Sequence, residues 1–271
     1  MPWLQSRSWQ LPSIPRAFVA VAMLAVLAPI GATDAGAATG AEERLKPRGD
    51  IAKLATNLAD LEATMRVTKF DSAEMEKIGS DFKTTYSLRN LTFQYKQPDK
   101  IRLEGRSQTR GGAVLIMNGA MRYYEVPKLK LRRSENLEAQ PGRRQSLLEF
   151  AGLLSPGTLK FMDGMLLREE KVAGQDVLVY EMHFQGDQKN SFYRIWVDKQ
   201  MHVTLKREWL DSAGKLRATF LYSEPREVVP GCWCPTRVEV KNAEGTTAAV
   251  LAISDIKPNQ GLTDEPFSLT P

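Results

Sequence analysis

The sequence has little of the side-chain chemistry that enzymes and metal sites use, since its 271 residues include only two histidines and two cysteines. His183 and His202 are well separated, and no H-x-x-x-H or clustered His and Cys pattern is present, so we expect no metal site. A G-x-S-x-G nucleophile motif and a glycine-rich phosphate loop are also missing. The paired carboxylates Glu169 and Glu170 would point to opposite faces of a strand. We therefore expect neither catalysis nor a bound cofactor.

Long apolar runs are also scarce, and the one that is present lies near the N-terminus. Residues 17–30 form an apolar stretch of about 14 residues, shorter than the roughly 20 that a membrane-spanning helix needs. A polar, basic segment precedes it, and Ala35-Gly36-Ala37 follows it as an A-x-A cleavage site. This order predicts a secretory signal peptide over residues 1–37 and a flexible leader over residues 38–49. Residues 50–271 are then expected to form a single soluble domain in the periplasm.

Charge of one sign is not concentrated in the sequence, whose formal net charge is +5 at pH 7. Acidic and basic residues are interspersed along the chain, which gives no case for nucleic-acid binding. The two basic runs are short, at residues 128–133 and at Arg143-Arg144. We interpret the first run as the solvated edge of a strand and the second as the start of a helix.

The two cysteines, Cys232 and Cys234, are separated by one residue, which excludes a dense disulfide framework and leaves their own state open. On a regular strand their Cα atoms would lie about 6.5 Å apart, near the limit for a disulfide. A tighter turn after Pro230-Gly231 would allow a strained bond. Two reduced thiols, an intramolecular disulfide and mixed disulfides with a partner all stay open, and a redox or metal-binding role is the least favoured.

Two segments have the apolar spacing of amphipathic helices. The first begins at Asp50, a suitable N-cap, and runs through residues 51–65, although Met65 and Val67 alternate and could already belong to a strand. The second covers residues 143–154 and ends at Ser155-Pro156-Gly157. The charged residues 71–81 are not assigned. Helices with wide apolar faces must cover other apolar surface.

The sequence from residue 82 onward alternates between apolar and polar residues, which is typical of strands. Leu91, Phe93 and Tyr95 show this pattern, and turns rich in Gly and Asp separate the runs. We count about ten strands in an antiparallel meander, with the two helices against its apolar face. Because strands of this length curl to bury one face, we expect a mainly β fold with one strongly curved sheet.

The apolar face of this sheet and the second helix are the candidate lining of a cavity. Its methionines would suit an irregular apolar ligand, since methionine adapts its shape readily. The residues expected to line the cavity are Leu91, Phe93, Tyr95, Ile101, Leu103, Met121, Leu147, Leu148, Phe150, Leu154, Leu178, Tyr180 and Met182.

Three stretches of the C-terminal half resemble the outer-membrane lipoprotein-sorting superfamily, the LolA-like proteins. Residues 193–212 are similar to its strand, Val-Asp turn and strand with a basic residue, an aromatic residue and Asp. Residues 231–240 match its Gly, Pro-Thr and alternating Val pattern. Residues 253–267 resemble its closing strand, which ends in Asn, a small residue and Phe. The likeness extends more loosely over residues 82–270.

This resemblance implies a half-barrel sheet, not closed, with a helical lid over an apolar cavity for acyl chains. It implies a monomeric periplasmic carrier of lipids or lipoproteins that serves inner- and outer-membrane transfer proteins. An envelope regulatory or scaffold module that binds a protein partner is the alternative, and a fully packed domain without ligand is a third. The family's basic latch residue has no fixed equivalent here, and Arg89, Arg102 and Arg106 are all eligible.

Overall fold

The computed structural model describes residues 51–107, 111–140, 152–160, 162–185 and 191–269. The predicted signal peptide and leader lie outside these residues. So does the predicted helix over residues 143–154, apart from residues 152–154 at its end.

Thirteen strands within the described residues form one antiparallel sheet, in the order β6-β5-β4-β3-β2-β1-β13-β12-β11-β10-β9-β8-β7. Strands β6 and β7 are its two edges, so the sheet is open. The predicted fold class, mainly β with a single antiparallel half-barrel sheet, is confirmed, although it has more strands than expected. The strands are β1 Asp60–Phe70, β2 Asn90–Lys96, β3 Lys100–Ser107, β4 Gly111–Asn118, β5 Met121–Val126, β6 Leu131–Asn136, β7 Met162–Val172, β8 Gln175–Phe184, β9 Phe192–Asp198, β10 Thr204–Leu210, β11 Leu216–Val229, β12 Cys232–Asn242 and β13 Thr247–Pro258.

Two short helices, α1 (Ser72–Ile78) and α2 (Ser80–Tyr86), follow β1 and occupy most of the segment that the sequence left unassigned. Asp71 begins α1, because its carboxylate accepts hydrogen bonds from the backbone N–H groups of Ala73 and Glu74. A third helix, α3, is the single turn Pro156–Leu159. Three 3₁₀ turns complete the description: Ile51–Leu54, Pro127–Leu129 and Glu265–Phe267.

The predicted helix over residues 50–65 is wrong. Only Ile51–Leu54 form a 3₁₀ turn, and strand β1 begins at Asp60. Strand β1 pairs with β2 on one side and with β13 on the other. These two ladders satisfy its backbone on both edges, and tertiary pairing of this kind overrides an apolar spacing that also fits a helix. The alternation of Met65 and Val67 was therefore the correct signal.

Two further boundaries differ from the prediction. Phe82, where the alternating pattern was expected to begin, lies in α2, and the next strand begins at Asn90. Residues 152–155 are not helical, and Pro156 begins α3 rather than ending a longer helix. A proline suits the first turn of a helix, where its missing N–H has no partner to lose.

The sheet buries one face, here called the inner face, which includes Met65, Phe93, Tyr193 and Phe220. A large core cluster covers the inner face of β1–β4 and β11–β13, and α1 and α2 contribute apolar side chains to it, such as Met75. A second cluster covers β7–β9 beneath the 3₁₀ turn at Ile51–Leu54 and the α3 residue Leu159. Helices therefore do cover part of the inner face, as predicted. These helices, α1 and α2, are not the ones that the sequence indicated.

Candidate functional site

A small cavity lies on the inner face where the two core clusters meet. Strand register explains its walls, because Met182 pairs with Tyr193, and Ile195 pairs with Arg207. Residues that are directly opposite on antiparallel strands point to the same face. The cavity has a volume of about 30 Å³ and is lined by Gly152, Leu153, Leu154, Met162, Met182, Tyr193, Ile195, Thr204, Arg207 and Tyr222.

The roof of this cavity follows from the topology. Strands β6 and β7 are consecutive in the chain but lie at opposite edges of the sheet. Residues 152–154, which belong to the connection between them, line the cavity on the inner face. There the backbone N–H of Thr56 donates a hydrogen bond of 2.7 Å to the Leu154 carbonyl. We call residues 51–58 and 152–160 together the roof.

Two glycines allow the roof to approach the sheet closely. Gly152 has a φ of +57°, and a Cβ there would lie 2.7 Å from the Tyr222 ring. A Cβ on Gly157 would lie 1.9 Å from the carbonyl oxygen of Pro98, in the turn between β2 and β3. Because the second contact is with backbone, no side-chain rotation could relieve it.

Arg207 is the one arginine among the described residues whose side chain lines this cavity. The residue is 7% exposed, and its guanidinium carbon lies 5.1 Å from the Tyr193 ring centroid and 5.9 Å from that of Tyr222. Cation–π contacts of this kind stabilise a buried guanidinium, and its planar fork of N–H donors suits carboxylate, phosphate or carbonyl oxygens. The site thus combines apolar walls with one buried cation. The sequence did hold a signal for it, because Arg207 stands two residues before the inward Trp209 on β10.

The three arginines considered as latch residues do not reach this cavity. Arg89 and Arg106 are exposed. Arg102 donates hydrogen bonds to the Pro266 carbonyl, at 3.0 Å, and to the Glu104 carboxylate. These contacts place it on the outer face of the sheet, beside the C-terminal segment.

The residues predicted to line a cavity fall into four groups. Leu154 and Met182 line the cavity, and Leu178 and Tyr180 belong to the neighbouring second core cluster. Five others are buried on the inner face as members of the first core cluster and do not line the cavity: Leu91, Phe93, Tyr95, Ile101 and Leu103. Leu147, Leu148 and Phe150 lie outside the described residues.

Met121 forms the fourth group, because the structure places it on the outer face. It pairs with Asn118 on β4, and the Asn118 side-chain amide donates a hydrogen bond to the Phe267 carbonyl on that face. The sequence pattern misled here because Arg122 rather than Met121 has the inward position. Register assigns Arg122 to the inner face, opposite Met117.

Cys232 and Cys234 are buried free thiols on β12. The Cys232 sulfur lies 3.3 Å from the Thr56 hydroxyl oxygen in the roof. Hydrogen bonds from the Cys234 thiol, from Thr56 and from the Asn57 backbone lower the pKa of the Cys232 thiol to about 6. The hydrogen bond to Cys232, together with burial, raises the pKa of Cys234. One sulfur of the pair is thus prepared to carry a negative charge while the other keeps its proton.

In the described part of the chain, no group of three or more His, Cys, Asp or Glu side chains could hold a metal ion. His183 is engaged otherwise, with Nε2 3.1 Å from the Glu181 carboxylate and its ring stacked on Phe192. No helix among the described residues is both long and apolar enough to cross a membrane.

The fold is shared with several solved structures. A DUF1329 family protein from Desulfovibrio piger superposes with a TM-score of 0.54 at 16% identity, over 80% of this chain and 92% of its own. A putative outer membrane lipoprotein-sorting protein domain from Vibrio parahaemolyticus has a TM-score of 0.56 at 17% identity, over 84% and 94%. A LolA superfamily protein from Nitrosomonas europaea has a TM-score of 0.53 at 18% identity, over 80% and 93%.

Comparison of the sequence with family models and with curated proteins identifies no family of known function. A family model described as an uncharacterized protein matches residues 158–270. No curated protein matches the chain. Because these solved structures are only 16–18% identical to the chain, they show a shared fold and do not show a shared function. The LolA-like resemblance inferred from the sequence is thereby confirmed for the fold, which the chain shares with the lipoprotein-sorting domain and with the LolA superfamily protein.

Proposed function

We propose that this domain binds the acyl chains of lipids or lipoproteins on its inner face and carries them through the periplasm towards the outer membrane. The observation that carries the proposal is the cavity with apolar walls and one buried cation, Arg207, beneath a roof of short segments. An amphiphile has the same two parts, an apolar chain and a polar head. The shared fold supports this reading but does not identify the cargo.

The cavity as it stands is too small for an acyl chain, since about 30 Å³ is little more than a water-sized space. Binding therefore requires the roof to separate from the sheet. The roof side chains Leu54, Leu153 and Leu154 now cover the inner face that a ligand would contact. An acyl chain in their place would gain about 0.8 kcal/mol of transfer free energy for each methylene that it buries. This gain offsets the free energy that is lost when the roof side chains leave their apolar contacts.

Arg207 would orient the ligand. Its guanidinium could donate hydrogen bonds to a phosphate, a carboxylate or an ester carbonyl, while the chain lies against Met182 and Ile195. In this arrangement the walls supply affinity for any acyl chain, and the cation selects the polar end.

Periplasmic location and exchange with membrane-bound transfer proteins complete the proposal. Location rests on the signal peptide expected over residues 1–37, and the exchange partners rest on the resemblance to the lipoprotein-sorting proteins. Carriage by a monomer would need only one cavity per chain.

Native mass spectrometry of the protein expressed from its full-length sequence tests the proposal, followed by extraction of any bound lipid. We expect phospholipid or acylated peptide at close to one molecule per chain. Leu154→Asp, in the roof, should abolish uptake, whereas Met121→Asp, an equally half-buried position on the outer face, should not. A protein that stays free of lipid after incubation with lipid would refute carriage and favour the alternative, a module that binds a protein partner.

A further inference from the structure

The two cysteines lie at the start of β12, on the inner face of the sheet. Cys232 and Cys234 belong to the first core cluster and are 8% and 3% exposed. Cys232 is the first residue of the strand and follows Gly231, an exposed turn residue with a φ of +75°. In the neighbouring strand β11, the register shifts between Glu227 and Val229, opposite Cys232. The irregular backbone here gives the Cys232 sulfur more freedom of position than a regular ladder would.

Three hydrogen bonds converge on the Cys232 sulfur. The Cys234 thiol donates one of them, and the Asn57 backbone N–H donates another. The Thr56 hydroxyl oxygen lies 3.3 Å from the same sulfur. Because these donors favour a thiolate, and the thiolate is the nucleophilic form of cysteine, Cys232 is the sulfur that would attack. Cys234 lies beside it and would then complete an internal disulfide.

The spacing of the two cysteines favours a bond that forms and breaks over one that is permanent. Residues two apart on a regular strand have Cα atoms roughly 6.5 Å apart, near the upper limit for a disulfide. A bond at that spacing is strained, and strained disulfides are the ones that reductants open readily. Both thiols are free in the structure. The pair is therefore suited to a change of state rather than to holding the fold together.

We propose that Cys232 and Cys234 form a reversible redox switch that sets how firmly the roof is held on the sheet. In the reduced protein, Thr56 of the roof donates its hydroxyl hydrogen bond to the Cys232 thiolate. A disulfide sulfur carries no charge and is a weak acceptor, so oxidation removes most of this contact. The neighbouring hydrogen bond, from the Thr56 N–H to the Leu154 carbonyl, should then open more often. This inference does not depend on lipid binding, because every group in it belongs to this chain.

The oxidant would be a disulfide, and oxidised glutathione is the probe for the test. The Cys232 thiolate attacks one sulfur of the probe, which forms a mixed disulfide and releases one glutathione thiolate. Cys234 then passes its proton to that thiolate and attacks the Cys232 sulfur. The internal disulfide closes, and the second glutathione leaves as a thiolate. Two electrons have passed from the cysteine pair to the probe, which is reduced to two molecules of glutathione.

The first test incubates the reduced full chain with oxidised glutathione, then alkylates the remaining thiols and counts them by mass spectrometry. We expect the wild type to lose both thiols, to keep no glutathione and to regain both thiols with a dithiol reductant. Cys234→Ser should stop at a stable mixed disulfide on Cys232, because no second thiol is present to displace glutathione. Cys232→Ser should react about tenfold more slowly than Cys234→Ser.

The control for this test is the same set of proteins unfolded in urea, where the two single variants should react at equal rates. Two thiols that persist in the folded wild type would overturn the proposal. So would a wild type that keeps glutathione, because the internal bond would then not form. Equal rates for the two single variants in the folded state would also overturn it, since the hydrogen bonds around Cys232 would have no effect.

The second test follows the roof by hydrogen exchange at the Thr56 backbone N–H. Exchange there should be about tenfold faster in the oxidised protein than in the reduced one. The Asp211 N–H, which is bonded to the Lys215 carbonyl in the turn between β10 and β11, is the control and should not change. Thr56→Val keeps the shape of the side chain but removes the hydroxyl, so position 56 should exchange at the faster rate in both states.

Equal exchange at Thr56 in the two states of the wild type would overturn control of the roof. A redox-dependent change that persists in Thr56→Val would overturn it too, because the hydroxyl would not be the link between the sulfur and the roof. A switch that operates in protein that takes up no lipid would refute carriage and leave this inference intact.

Discussion

The guanidinium carbon of Arg207 lies 4.7 Å from the ring centroid of Phe220, inside the protein and opposite it in register. The two residues face each other across β10 and β11 because each has the inward phase on its strand. A cation on the apolar side of a half-barrel is costly to desolvate, and contacts such as this one with an aromatic ring offset part of that cost. A function that needs the charge would explain its place.

We expect Arg207→Met to affect both binding and stability. Affinity for an anionic lipid should fall about tenfold, and the free energy of unfolding should fall by about 1–3 kcal/mol because the contacts of the buried guanidinium are lost. Urea unfolding and lipid titration measure the two effects, and Arg207→Lys gives a version that keeps the charge but not the planar stacking. A large loss of stability with unchanged lipid affinity would assign Arg207 to the fold alone.

Gly157→Ala should destabilise the roof. The new Cβ would overlap the Pro98 carbonyl, so the turn at α3 must move away from the sheet. We expect a loss of about 2 kcal/mol or more in the free energy of unfolding by urea. Gly112→Ala is the control, because the nearest atom to its Cβ would be 3.9 Å away. A loss of similar size in both variants would contradict the steric explanation.

Cys232 should make the stability of the reduced protein depend on pH. Its pKa is lowered from the ordinary thiol value to about 6 in the folded state, so the thiolate stabilises the fold. That contribution is fully present above the unfolded pKa near 9 and is lost as the pH falls through 6. From pH 6 to 8, the stability of the wild type relative to Cys232→Ala should rise, by at most about 1.4 kcal/mol per pH unit. Urea unfolding with a reductant present measures this difference, and a flat difference would exclude the thiolate.

Asp60 should be essential for attaching the C-terminal segment. It is 4% exposed, and its carboxylate accepts hydrogen bonds from the backbone N–H groups of Gln260, Gly261 and Leu262. Asp60→Ala leaves these donors without their acceptor and should cost about 2–4 kcal/mol in the free energy of unfolding. Asp60→Asn keeps one acceptor oxygen and should cost less. Hydrogen exchange at residues 260–262 would locate the effect, and unchanged protection there would contradict it.

The alternating strands were predictable from the sequence because their pattern is local. Leu91, Phe93 and Tyr95 read directly as one face of β2, and they are buried as expected. Strand β1 was obscured because Leu58, Leu61 and Met65 also fit helical spacing. Its true state depends on pairing with β13, almost two hundred residues further along the chain, and no local pattern carries that information.

The candidate site was less predictable than the fold. Met121 was predicted to line the cavity because its side chain is apolar, but the register of β5 places it on the outer face. Arg207 was not predicted to line the cavity, because only apolar residues were considered and an arginine in a strand is usually exposed. A search for inward-phase charges, rather than for apolar residues alone, would have identified it.

The pairing of β1 with β13 also sets an order of assembly. Strands β1–β6 and β7–β13 form two meanders in which each strand pairs with the next one in the chain, so each meander can pair locally. The seam at the middle of the sheet joins the first strand to the last and closes the longest loop in the fold, which makes it the slowest contact to form. Until β13 is present, β1 keeps one unpaired edge at the centre of the sheet, open to pairing with other chains. A chain that is still being synthesised would therefore need protection of that edge until its last strand is present.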